Sequence, residues 1–181
     1  YILFSIRLTY NKGAYVLHTL RDQIGYKGFF DGVNNFINDP ALTYDFAITD
    51  QFRAHMEAAS KRDLKEFFSD WYKGEGYPNY ILRYNLEGSK LYFDVTQGGS
   101  TGRSPFFDMD LAVAVYLNGL HFDFRLPVTQ QNEVFVKTFG RVPDSVKIDP
   151  DYNTLIGTRV AAAGWVHQIR RTSFWNLFYS A

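Results

Sequence analysis

The 181-residue chain contains no cysteine, which excludes disulfides, thiolate catalysis and cysteine-ligated zinc; a bound metal would need His, Asp or Glu. It has no net charge either, because 19 Lys and Arg balance 19 Asp and Glu. No overall field therefore draws it to nucleic acid, to an acidic substrate or to an anionic membrane surface, and recognition must come from a local site. The longest apolar stretch, Leu111 to Leu117, falls far short of the roughly 20 residues that cross a bilayer, so the expectation is a soluble protein. No charged segment followed by an apolar one and a small-residue cleavage site stands at the start, and any leader is expected upstream of Tyr1. Low-complexity tracts and internal repeats are missing as well. What is abundant is apolar and aromatic matter, 46% and 18% of the residues, enough to bury a sizeable core and to argue against disorder.

Between Tyr10 and Tyr72 the apolar residues recur at helical spacing, and the pattern predicts four helices. The first spans about 10–24, with Gly13, Leu17, Leu20 and Ile24 inward and Gly25 as its stop. A second, about 27–38, places Phe29, Phe30, Val33, Phe36 and Ile37 on one face and ends before Pro40. Thr49 is expected to cap a third helix, with Phe52, His55, Met56 and Ala59 inward. In the fourth, Asp63 and Glu66 are spaced like a capping box, and Leu64, Phe67, Phe68, Trp71 and Tyr72 form the buried stripe.

Gly74, Gly76 and Pro78 end the helical pattern, and the period then falls to 2. Leu91, Phe93 and Val95 alternate with polar residues, as do Phe122, Phe124 and Leu126. Asn118-Gly119 suits a type I′ hairpin turn, since both positions tolerate positive φ. Adding 80–84, 133–137 and 145–148 gives about six short strands, the pattern of a small antiparallel β-sandwich. The expected fold class is thus α+β: a helical part over 1–78, a sandwich over 79–152 and an unassigned tail over 153–181.

Few residues offer chemistry. No two of His18, His55, His121 and His167 stand at the i, i+4 spacing that presents a zinc pair, and there is no HExxH, no GxSxG and no GxxxxGK[ST]. Each histidine is read as packed or solvated, and the 98–102 Gly-Gly-Ser-Thr-Gly run as a hairpin loop. Tyr10 is the exception. It opens the first expected helix with glycine one turn on, leaving space beside its phenol. A hydroxyl so placed can donate to the oxyanion of a tetrahedral transition state. It can equally be a core tyrosine bonded to a backbone carbonyl, and spacing leaves both readings open.

The wording of the sequence adds to this. Leu8-Thr9-Tyr10-Asn11-Lys12-Gly13-Ala14, continuing through Leu17 and Leu20-Arg21, resembles the Tyr-x-Lys-Gly-Ala segment of M1 zinc aminopeptidases, especially secreted-type bacterial members. Further landmarks follow in family order: Gly25, Phe29-Phe30, Thr49-Asp50-Gln51-Phe52, Glu57-Ala58-Ala59-Ser60, Asp63-Leu64, Trp71 and Gly76-Tyr77-Pro78. The strand region ends in a family-like Val146-Lys147-Ile148-Asp149-Pro150-Asp151, so the resemblance covers about 8–152. It implies the end of a thermolysin-like catalytic domain followed by a β-sandwich, with Tyr10 donating its hydroxyl to the scissile carbonyl oxygen. It also implies zinc held by upstream ligands, a peptide substrate, an upstream half of the catalytic domain as partner, and a periplasmic or secreted location. The chain alone is then expected to be inactive. The alternative is a non-catalytic binding or scaffolding module that kept this part of the fold. Two departures stand out: Lys61 occupies a position where relatives favour glycine, and Tyr26 replaces an acidic residue. From Val160 to Ala181, including Arg170-Arg171 and five aromatics, no family pattern continues.

Overall fold

The computed structural model describes residues 6–162; the Trp165, Phe174, Trp175, Phe178 and Tyr179 aromatics and His167 lie outside them. A π-helical turn, Ile6–Asn11, runs directly into α1 (Lys12–Ile37). The two helices expected at this place are halves of α1, joined where Gly25 leaves helical geometry at φ 78° and ψ 160°. Such a φ suits a residue without Cβ. The buried face of the first half is the expected one only in part: Leu20 is buried and Ile24 packs on the core. Val16, Thr19 and Leu20 are buried, whereas Gly13 and Leu17 are exposed. The stripe is rotated because α1 packs through residues 16, 19, 20 and 23, leaving 10, 13 and 17 on the free side.

The second half of α1 crosses α2 (Thr49–Ser60) where Gly32 meets the fully buried Met56. Phe30 and Ile37, assigned to the inward face, are largely exposed, and the contact centres on Gly32 with Phe29, Val33 and Phe36 beside it. Thr49 is the first helical residue rather than the cap. Ile48 holds that position, and without a polar side chain only the reciprocal half of a capping box forms, with Ile48 N–H donating to Gln51 Oε1 at 2.8 Å. The helix ends on Lys61 at φ 60°, the left-handed conformation that glycine adopts more easily.

The fourth helix is shorter than its apolar stripe suggests. α3 covers Lys65–Phe68 and widens into a π-helical turn, Ser69–Lys73, closed by Gly74 N–H on Ser69 O at 2.8 Å. Asp63 Oδ1 accepts from Lys65 N, but the Leu64 N–H goes to Glu57 of α2 rather than to Glu66. Leu64, Phe67, Phe68 and Trp71 are buried as expected; Tyr72 is exposed because the wider turn rotates it outward.

Among the described residues seven strands follow: β1 (Pro78–Glu87), β2 (Lys90–Gly99), β3 (Met109–Leu117), β4 (Leu120–Val128), β5 (Asn132–Thr138), β6 (Ser145–Ile148) and β7 (Gly157–Ala162). They form a four-stranded sheet, β5-β2-β1-β7, and a three-stranded sheet, β4-β3-β6. All pairings are antiparallel except β1 with β7, which is parallel. The two sheets share one core, with Tyr80, Leu82, Leu91, Phe93 and Val95 on one side and Leu111, Val113, Val115, Leu126 and Ile148 on the other. Asn118 and Gly119, at φ 51° and 78°, make the expected turn between β3 and β4. Only the end of β4 reaches the core: Leu126 and Val128 are buried, Phe124 partly so, and Leu120 and Phe122 are exposed.

The 98–102 run is not a hairpin loop. It leaves β2 in one sheet for β3 in the other, a crossover whose turn is tied by Ser100 and Ser104. Strand β7 carries no alternation strong enough to find in sequence, yet it completes the edge beside β1. The chain reaches it through a turn at Asp149, whose buried carboxylate accepts from Asn153 N and Thr154 N, both at 2.9 Å.

Candidate active site

Tyr10 lies in the π-helical turn before α1 rather than at the first turn of the α-helix itself. Its phenol is 65% exposed, and no hydrogen bond to it is present among the described residues. A core tyrosine satisfied by a carbonyl is therefore not what the fold builds. The space beside Gly13 is open, as its spacing suggested. Tyr15 and Leu17 are also exposed on this half of α1, and Tyr26, Phe30 and Ile37 on the next.

The side opposite Tyr10 is anchored. Residues two apart on a helix project about 200° from each other, and Lys12 Nζ donates to Gly74 O at 3.3 Å, at the end of the second π-helical turn. Gly74 admits no side chain, because a Cβ there would stand 2.2 Å from Asp70 O. The buried Trp71 of the same turn packs on Phe107, ring centroids 4.8 Å apart. Farther along α1, Gln23 exchanges two hydrogen bonds with the backbone of Asp110, Nε2 to O at 3.0 Å and N to Oε1 at 2.9 Å. Asp22 takes a bidentate pair from Arg125 at 2.5 and 2.6 Å. The helical part is thus fixed to both β3 and β4.

Asp70 is the most perturbed acid. It is buried beside Glu66 and Asp108, and desolvation first, then those charges, push its pKa up to about 6 against the Asp108 N–H that favours the carboxylate. It faces the junction of helices and sheets, away from the exposed face carrying Tyr10. A cleft of about 310 Å³ lies beside the start of α2, but Tyr10 does not line it. Two of its cations are already paired, Arg53 with Asp50 and Glu57 and Lys65 with Asp63.

The zinc that the family resemblance implies finds no donor set among the described residues: no three His, Asp or Glu converge. His18 Nδ1 meets Arg21 at 2.8 Å, His55 Nε2 meets Asp39 at 3.0 Å, and His121 lies 3.5 Å from Asp123. These residues do not fit a zinc centre. Among the described residues no helix is long and apolar enough to cross a membrane. Sequence reading singled out Tyr10 as a candidate but not the contacts of Lys12, Gln23 and Asp22, since polar side chains that reach distant partners leave no periodic trace.

Residues 2–71 match the peptidase family M1 domain. Aminopeptidase M1-B of Oryza sativa subsp. japonica is 30% identical over 97 residues, 54% of this chain and 11% of that protein. Probable aminopeptidase 2 of Sulfurisphaera tokodaii is 22% identical over 175 residues, 96% of this chain and 19% of that protein. The crystal structure of Legionella pneumophila aminopeptidase A in complex with aspartic acid superposes with a TM-score of 0.72 at 18% identity, covering 89% of this chain and 19% of that one. That likeness spans helices and sheets and establishes the α+β fold. The chain thus spans between about a tenth and a fifth of the length of these relatives. A matched helical segment, relatives that are aminopeptidases and a shared fold thus make the chain similar to peptidase family M1, most directly over residues 2–71.

Proposed function

We propose that this chain forms the end of the catalytic domain and the following β part of an aminopeptidase that releases N-terminal residues from peptides. Tyr10 serves as the hydrogen-bond donor to the carbonyl oxygen under attack. The observation that carries this reading is the exposed phenol, without a hydrogen-bond partner among the described residues, in the π-helical turn before α1 and within the segment matched to the M1 domain. A donor aimed at an oxygen that gains charge stabilises the transition state more than the bound substrate, by about 3 kcal/mol in comparable sites. The side chain has the freedom to do so because its neighbour at Gly13 leaves the approach open.

The zinc of such a parent enzyme, and the half of the catalytic domain that holds it, belong to polypeptide other than the described residues. The exposed Tyr15, Leu17, Tyr26, Phe30 and Ile37 along α1 suit a face that such polypeptide covers. Alone, the chain is expected to bind no stoichiometric zinc and to release no amino acid.

The test uses the full-length protein with an aminoacyl anilide and its N-acetylated analogue. Release from the free amine, with the acetylated compound slower by about 100-fold or more, is expected of an enzyme that reads a free N-terminus. Equal turnover of the two compounds, or none of either, contradicts the assignment.

A further inference from the structure

Lys12, the first residue of α1 and next to the turn carrying Tyr10, is tied to the second π-helical turn through Gly74 O. Its acceptor is well fixed. The Gly74 N–H closes a π-helical turn on Ser69, a Cβ on Gly74 would collide with Asp70 O and meet Pro105, and Trp71 in the same turn is 1% exposed. Lys12 is partly buried, and its stem crosses from α1 to that carbonyl. An ammonium donating to a rigid carbonyl fixes the rotation of a helical turn about its axis, and the side chain two residues earlier then projects to the opposite side.

We propose that Lys12 is a positioning residue for Tyr10: by holding the helix start on the Gly74 carbonyl it sets the direction in which the phenol points. This rests on the aminopeptidase reading above, and it assigns Lys12 no contact with substrate. An angular error in a transition-state donor costs rate rather than binding.

The experiment compares Lys12→Met, Lys12→Arg, Tyr10→Phe and the Tyr10→Phe/Lys12→Met double variant of the full-length protein. Lys12→Met is expected to lower kcat about tenfold with KM changed less than about twofold, Lys12→Arg to restore most of the loss, and the double variant to be no slower than Tyr10→Phe alone. Additive losses in the double variant, or an unchanged kcat in Lys12→Met, overturn the proposal. Should Tyr10→Phe keep its full kcat, the oxyanion reading itself falls, and the positioning role with it. A separate arm reads amide hydrogen exchange over residues 11–16, expected about tenfold faster in Lys12→Met and recovered in Lys12→Arg. Unchanged exchange overturns the tether even where Tyr10→Phe loses activity.

Discussion

Asp70 is a residue at which burial opposes charge. Its folded-state pKa of about 6 lies above the ordinary value of 3.8, so the neutral acid is the form the fold prefers. The stabilisation tied to that proton is fully present below about pH 4 and is lost as pH rises through about 6. Asp70→Asn keeps an oxygen for the Asp108 N–H and removes the charge. It is expected to raise stability at pH 8 by about 1–2 kcal/mol and to leave it unchanged near pH 4. Urea unfolding at the two pH values checks this; a variant less stable than the parent at pH 8 contradicts it. Lys61 is a comparable case in the backbone, held at φ 60° where glycine carries no Cβ penalty. Its departure was visible in sequence, because a glycine-like position filled by lysine stands out against a helix end. Asp70 was not: at its place in the apolar stripe it looks like any solvent-facing acid.

Among the elements, the α1–α2 crossing is the most tightly specified. A Cβ at Gly32 would lie 2.7 Å from Met56 Sδ and 3.2 Å from its Cα, so the two helices touch backbone to side chain with no slack. Gly32→Ala gains helix propensity but forces the helices apart. A net loss of about 1–2 kcal/mol is expected, read from the thermal midpoint, and an unchanged or higher midpoint would mean the crossing relaxes freely. The existence of each helix, and Gly25 as a break, were legible because periodicity and glycine punctuate the chain locally. Which face is buried was not, since Leu17 and Val16 are both apolar and only tertiary packing chooses between them. The π-helical turns were hidden for the same reason: apolar spacing of 3 or 4 residues fits either winding. Strands β2 and β4 announced themselves by alternation, while β7 forms an edge beside β1 and carries no such pattern.

At the scale of the molecule, side-chain amides that imitate a strand recur at the junction of helices and sheets, beside the Asp22–Arg125 ion pair. Gln23 pairs with the backbone of Asp110, and Gln97, fully buried between the sheets, pairs with Phe107 through N–H to Oε1 at 2.8 Å and Nε2 to O at 2.9 Å. The segment 107–110 is gripped from both sides, with Trp71 against Phe107 between them. Such a junction fixes α1 relative to the β part and so fixes the face on which Tyr10 stands. Sequence located Tyr10 because its neighbours follow a known wording; the junction stayed invisible because its partners lie 87 residues apart.

The role of Tyr10 is tested most directly by kcat of Tyr10→Phe in the full-length protein at saturating aminoacyl substrate. Removal of the single hydroxyl is expected to lower kcat by about 100-fold with KM nearly unchanged, the signature of a contact made in the transition state. A kcat equal to that of the parent would show that the exposed phenol before α1 takes no part in the chemistry.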